Sequence, residues 1–164
     1  MATLLELCES GRLEQIDATL DGHELAWRRI FATPEFVGWL DETLPAFPTD
    51  EVYSNMSPLE QVYSVFAEYI SGEDFSIDKR FRKLKRTPTL DIWEIKTSDI
   101  RIFGWVPEKD AFICCFGDDA STIKNLNLYD RYMAQANFVR TQIDLNEPKS
   151  ITGGSYADVL STKD

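Results

Sequence analysis

Residues 92–117 hold three apolar runs joined by two tight connections, and no other stretch restricts the fold as strongly. IWEIKT (92–97) is followed by Ser98-Asp99, IRIFGWV (100–106) by Pro107 to Asp110, and AFICCFG (111–117) closes the series. Each run is rich in β-branched and aromatic residues and has the length of a strand. Such short connections cannot carry a parallel crossover, so the three runs form an antiparallel meander. Alternation then sorts the side chains. Trp93, Ile95 and Thr97 share one face, and Ile92, Glu94 and Lys96 the other. Arg101, Phe103 and Trp105 lie opposite Ile100, Ile102 and Val106. Arg101 therefore projects among aromatic neighbours, where a lone charge is costly; either its face is open or the charge is paired.

Helical signals surround the meander. Thr33-Pro34-Glu35 reads as an N-cap, a first-turn proline and a first-turn acid, with Phe36, Trp39, Leu40 and Leu44 forming the apolar face behind them. Ser57-Pro58-Leu59-Glu60 is a capping box, and the helix it opens buries Val62, Val65, Phe66, Tyr69 and Ile70 before Ser71-Gly72 ends it. Helical spacing returns from Leu126 to Ile143, and residues 25–32, LAWRRIFA, read as a strand. Residues 2–19 predict one or two short helices, weakened at Gly11. The chain divides into an acidic helical leader (1–24), a domain (25–145) and a polar tail (146–164) without periodicity, expected to be mobile.

Charge is distributed unevenly. The net charge is −11, and residues 1–60 carry three basic against twelve acidic side chains. Residues 78–101 reverse the sign, with eight basic and four acidic side chains, because KRFRKLKR (79–86) concentrates six cations in eight positions. A patch this local survives the global charge because salt screens beyond about 8–10 Å. Two readings of it stand side by side: a solvated turn or helix end, and a surface that meets an anion at short range.

Other classes are excluded. Hydrophobic residues at 43% fit a folded domain, and no stretch approaches a membrane span. MATLLELCESGRLEQID lacks the basic start and apolar run of a secretory signal, which predicts a cytoplasmic protein. Cys8, Cys114 and Cys115 are odd in number, and the last two point to opposite faces of a strand, so reduced thiols are expected. With His23 as the one histidine, no Cys/His metal cluster and no cofactor are expected.

FRKL, IWEIKT and IRIFGW, in this order behind two helices, resemble the RelE/HigB-type toxins of bacterial toxin–antitoxin systems, most closely the phage-derived HigB-like branch. The resemblance covers about residues 26–143. It implies an α+β fold, a small antiparallel sheet packed on an N-terminal helical hairpin with a C-terminal helix. It also implies a metal-independent endoribonuclease that cuts mRNA, typically on the ribosome, and is neutralised by an antitoxin protein. Arg101 matches the family's strand arginine. Arg80, Arg82, Lys83, Lys85 and Lys96 match its basic positions by neighbourhood; Lys124 and Tyr129 are the nearest base and aromatic after the last strand. The catalytic set is then Arg101, Lys96, Tyr129 and Lys124, with Arg80, Arg82, Lys83 and Lys85 binding RNA. Cations hold the scissile phosphate while other groups move protons to and from its oxygens.

The chain departs from the pattern at GDDAST (117–122), where Asp118 and Asp119 stand in place of phosphate-binding cations. That departure leaves open an acid acting as base, or an attenuated activity. A second function therefore stays in view: a non-catalytic module on the same fold whose basic run docks an acidic partner or the chain's own leader.

Overall fold

The computed structural model describes residues 1–50, 55–84, 91–153 and 155–163. One six-stranded sheet organises them, in the order β1-β2-β6-β5-β4-β3: β1 (Glu14–Ile16), β2 (Arg29–Ala32), β3 (Phe81–Lys83), β4 (Trp93–Lys96), β5 (Ile100–Trp105) and β6 (Ala111–Asp119). All neighbours are antiparallel except β2 and β6, which run parallel from Arg29↔Ala111 to Ala32↔Cys114. The chain reaches β3 from β2 through α2 (Pro34–Gly38) and α3 (Pro58–Ile70). Helix α1 (Leu4–Glu9) precedes the sheet, and α4 (Ala120–Asn125), α5 (Tyr129–Gln142) and α6 (Tyr156–Val159) follow it.

The meander forms as its pattern dictates. Phe103 is the last residue of β5 in regular register; beyond it a bulge slips the pairing from Phe103↔Phe116 to Gly104↔Cys114. Gly104 fits there because a Cβ would stand 1.8 Å from the Ile113 carbonyl oxygen. Two cores result, one on each face of the sheet. Trp93, Ile95, Ile100, Ile102 and Cys114 join Phe36, Phe66 and Tyr69 from α2 and α3. Ile92, Phe103, Trp105 and Cys115 join Leu4 and Leu7 from α1 and Met133 and Ala136 from α5. The adjacent cysteines thus lie on opposite faces, as alternation requires. Burial pushes both thiols up, so they act as packing groups.

The expected helix starts also form. Thr33 accepts from the Phe36 amide, and Ser57 and Glu60 exchange bonds in a capping box. Beyond Gly38 the second helix loosens into a π turn (Trp39–Thr43) and a 3-10 turn (Leu44–Ala46).

The expected small antiparallel sheet on an N-terminal hairpin is overturned. The sheet has six strands and is mixed, the first helix is short, most strands lie late in the chain, and helices pack on both faces. The leader contributes α1 and then an edge strand rather than a second helix. Gly11, at φ 79°, ends the helical path, and Leu13 and Ile16 bury on either side of the exposed Glu14 and Gln15. The basic run begins the other edge strand: Phe81 is fully buried and stacks on Trp93 at 4.5 Å, drawing its cationic neighbours into β3. The tail is packed along its described residues. The Ile151 amide donates to Val106, Val159 and Leu160 bury, and Lys163 donates to the Gly72 carbonyl.

Arg28 fastens that tail. It is 1% exposed and donates to the carbonyls of Tyr69 (2.8 Å), Glu73 (2.8 Å) and Ser161 (2.7 and 3.0 Å), with its guanidinium over the Tyr69 ring. Asp110 adds charge at 3.6 Å and itself accepts from Ser161. An unsatisfied buried acceptor costs about 1–3 kcal/mol. Arg28→Ala should therefore lower unfolding stability by about 3 kcal/mol or more in urea melts. It should also make the last fifteen or so residues the first site of limited proteolysis, whereas an unchanged digestion pattern would refute the clasp.

Candidate functional site

Strand register builds the site in two rows on the α5 face of the sheet. The first row runs Arg82, Glu94, Phe103 and Phe116 across β3, β4, β5 and β6. The second runs Lys96, Arg101 and Asp118 across β4, β5 and β6. Period-two alternation puts these side chains on one face. Helix α5 then lays its first turn over them: Tyr129 meets Phe103 at 5.7 Å, and Tyr132 meets Phe103 at 5.5 Å and Phe116 at 6.4 Å. Lys124 stands exposed in the last turn of α4.

Arg101 is 8% exposed and is held from within, one arm donating to the carbonyls of Thr97 (2.6 Å) and Ile100 (3.1 Å). The backbone thus resolves the alternatives of open face and paired charge. Lys96 is half-buried, and among the described residues no carboxylate stands within ion-pair distance of its amine. Desolvation pushes the Lys96 amine below the ordinary lysine value; Glu94 opposes the shift, while Arg101, Arg82 and Lys124 add to it. Desolvation raises the Tyr129 phenol, Glu94 adds to the rise, and Arg101 opposes it. The structure therefore brings Lys96, Arg101, Tyr129 and Lys124 into one neighbourhood, with Arg82 at its side.

The acids that departed from the expected pattern have local duties. Asp119 caps α4, accepting from the Thr122 amide at 3.0 Å. Asp118 accepts from the Tyr132 hydroxyl at 2.6 Å and from the Asp119 amide at 2.8 Å. With Asp50 and Asp99 these two also line a cleft of about 440 Å³, an acidic border that repels a polyanion from that side.

The basic run is spent largely inside the fold. Arg80 pairs with Glu68 at 3.5 Å, Arg82 donates to Glu94 at 2.7 and 3.1 Å, and Lys83 meets Asp91 at 2.8 Å and the Gly153 carbonyl at 3.1 Å. Lys79 is exposed; Lys85 and Arg86 lie outside the described residues. Among the described residues the leader does not clamp this run. It forms the opposite edge of the sheet, five strand spacings or about 24 Å away. His23 is exposed on the segment before β2.

Two members of the site escaped the sequence reading. Alternation gives the face of Glu94 but no role for it. Tyr132 lies three residues after Tyr129, and that helical spacing was the available signal. No family model, curated protein or solved structure matches the chain. Among the described residues, no helix is long and apolar enough to cross a membrane.

Tyr132 offers a test of the site's electrostatics. Burial, then the bond to Asp118 and its charge, push the phenol up to about 12 from an ordinary value of 10.0. The folded value lies above the unfolded one, so the contribution is complete below about pH 10 and is lost as pH rises through about 12. Tyr132→Phe should cost about 1–2 kcal/mol at pH 8 in urea melts. The wild type should lose part of that advantage between pH 10 and 12, and a constant gap across the window would contradict the assignment.

Proposed function

We propose that this chain is a metal-independent endoribonuclease of the RelE/HigB toxin type, acting in the cytoplasm and held in check by an antitoxin protein. The observation that carries the reading is the grouping of Lys96, Arg101, Lys124 and Tyr129 at one end of the sheet, with no carboxylate within ion-pair distance of Lys96 or Lys124 among the described residues. Cations without internal partners suit an external anion. Here they alternate with a phenol and an aromatic layer, a combination that matches a phosphodiester flanked by bases.

The chemistry follows from position. Lys96 and Lys124 hold the scissile phosphate and offset the charge that grows on its oxygens during attack by the neighbouring 2′-hydroxyl. Arg101 acts from beneath: one arm of its fork is held by backbone carbonyls, so it supplies fixed positive charge rather than bidentate capture. The Lys96 amine, with its ionisation lowered, gives up a proton more readily than an ordinary lysine and suits protonation of the departing 5′-oxygen. Tyr129 faces the same centre from α5. Because Arg80, Arg82 and Lys83 already serve internal acids, the geometry favours this cluster over KRFRKLKR as the anion-binding surface.

Induced expression tests the proposal. Wild-type protein should arrest growth, and purified protein should cut an RNA oligonucleotide in the presence of EDTA, leaving cyclic phosphate and 5′-hydroxyl ends. Lys96→Ala with Lys124→Ala should abolish arrest and lower cleavage by on the order of 10²–10⁴-fold with the fold intact. Abundant, folded wild type that neither slows growth nor cuts RNA refutes the reading and favours a binding module for an acidic partner.

A further inference from the structure

Beneath the cation cluster, two buried polar atoms have no hydrogen-bond partner. Glu94 is fully buried; its Oε1 accepts both bonds from Arg82, and its Oε2 has no donor. On the next strand, Arg101 uses one terminal nitrogen on backbone carbonyls, and its Nε has no acceptor. Buried acceptors and donors are almost always satisfied, so an orphan of each sign at one place calls for an explanation. The group that faces both is the Tyr129 hydroxyl, whose ring is fixed against Phe103. The phenol is near enough for its ionisation to answer to both side chains, yet Oε2 and Nε lack full bonding geometry. A hydroxyl can donate to a carboxylate oxygen and accept from a guanidinium nitrogen at once, which is what Oε2 and Nε lack.

We infer that Glu94 is a positioning residue that acts through Tyr129, receiving the proton released when the substrate hydroxyl attacks; the inference rests on the RNA-cleavage reading above. The step balances. The 2′-O–H bond breaks and its proton passes to the Tyr129 oxygen, while the phenol's own proton passes to Glu94 Oε2. The 2′-oxygen forms its bond to phosphorus, the bond from phosphorus to the 5′-oxygen breaks, and the leaving oxygen takes a proton from the Lys96 ammonium. Neutral Glu94 and neutral Lys96 then exchange protons with water and restore the starting state. Arg82 faces Glu94 from β3, Lys96 from its own strand, Arg101 from β5 and Tyr129 from α5. Lys124 adds positive charge from α4. Charge is thus arranged around a relay whose two ends differ in sign, which a purely structural Arg82–Glu94 pair does not require.

The test uses Glu94→Gln, which keeps the shape and an oxygen for Arg82 but cannot take the proton, beside Tyr129→Phe and the double variant. Cleavage of an RNA oligonucleotide is followed from pH 5 to 9. Glu94→Gln should lower kcat about 100-fold and leave KM within twofold. The double variant should be no slower than either single one, because the two residues act as a unit. Tyrosine titration by NMR, with the Tyr129 signal assigned from Tyr129→Phe, supplies a readout free of activity. The Tyr129 ionisation should fall in Glu94→Gln while Tyr132 stays in place. Glu94→Asp, which keeps the charge and shortens the reach, repeats both measurements if the glutamine variant does not fold. An active wild type whose two single losses add in the double variant, or whose Glu94→Gln loss falls on KM instead of kcat, overturns the relay alone. A Tyr129 signal that does not move overturns it in every case. A wild type inactive on RNA instead overturns the nuclease reading, an outcome distinct from either.

Discussion

The parallel pairing of β2 with β6 is the constraint on which the remaining architecture depends. It joins a four-residue strand near the start of the domain to the last strand of the meander. Ile30, Phe31 and Ala32 are all fully buried, because a strand in that position is covered on both faces. Once β2 occupies that side of β6, the leader can only extend the sheet outward, and β3 is left at the far edge. Helices α2 and α3 must then cross one face of the sheet, and the chain leaving β6 turns onto the other. That turn sets α4 and α5 over the Lys96–Arg101–Asp118 row. The candidate site is thus a consequence of sheet order as much as of its own residues.

Local signals were legible where local physics decides. Alternation within 92–117 groups Glu94 with Lys96 and Arg101 with Phe103, and the capping residues Thr33 and Ser57 mark the starts of two helices; that the two groups share a face comes from the register. The β2–β6 pairing left no local trace, because its partners lie about eighty residues apart and a four-residue apolar run has no period to read. Strand β1 was hidden for a related reason. Its only inward side chain is Ile16, while Glu14 and Gln15 face solvent. At β3, six cations outweighed two apolar residues in the sequence, yet the burial of Phe81 and Leu84 decides the structure. At the site itself, residue types could be gathered from sequence, but which charges satisfy one another could not.

That division of charge resolves an apparent contradiction in an acidic chain. Most of the described cations in KRFRKLKR answer carboxylates that the fold has already buried or half-buried: Glu94 is fully buried, and Asp91 is nearly so. Removing water from a carboxylate is costly unless a donor replaces it, so β3 carries cations because β4 and its approach carry acids. The run is therefore a neutralising edge, and its density says little about an external ligand. Lys96 and Lys124 differ by lacking such partners among the described residues, which makes them the more informative cations although they stand alone in the sequence.

Under the proposed reading, the second row also explains how acids could border a phosphate site. Asp118 lies opposite Arg101 in register, but its carboxylate is occupied by Tyr132 and the Asp119 amide, and Asp119 is used by the start of α4. A carboxylate bound by a phenol and an amide has its charge partly dispersed into those donors, and Asp118 also lines the acidic cleft beside it. On that reading an approaching phosphodiester would be repelled on the Asp118 side and attracted on the Lys96–Lys124 side. The same acids that deplete the expected cationic stretch would then restrict how a polyanion can lie on the sheet.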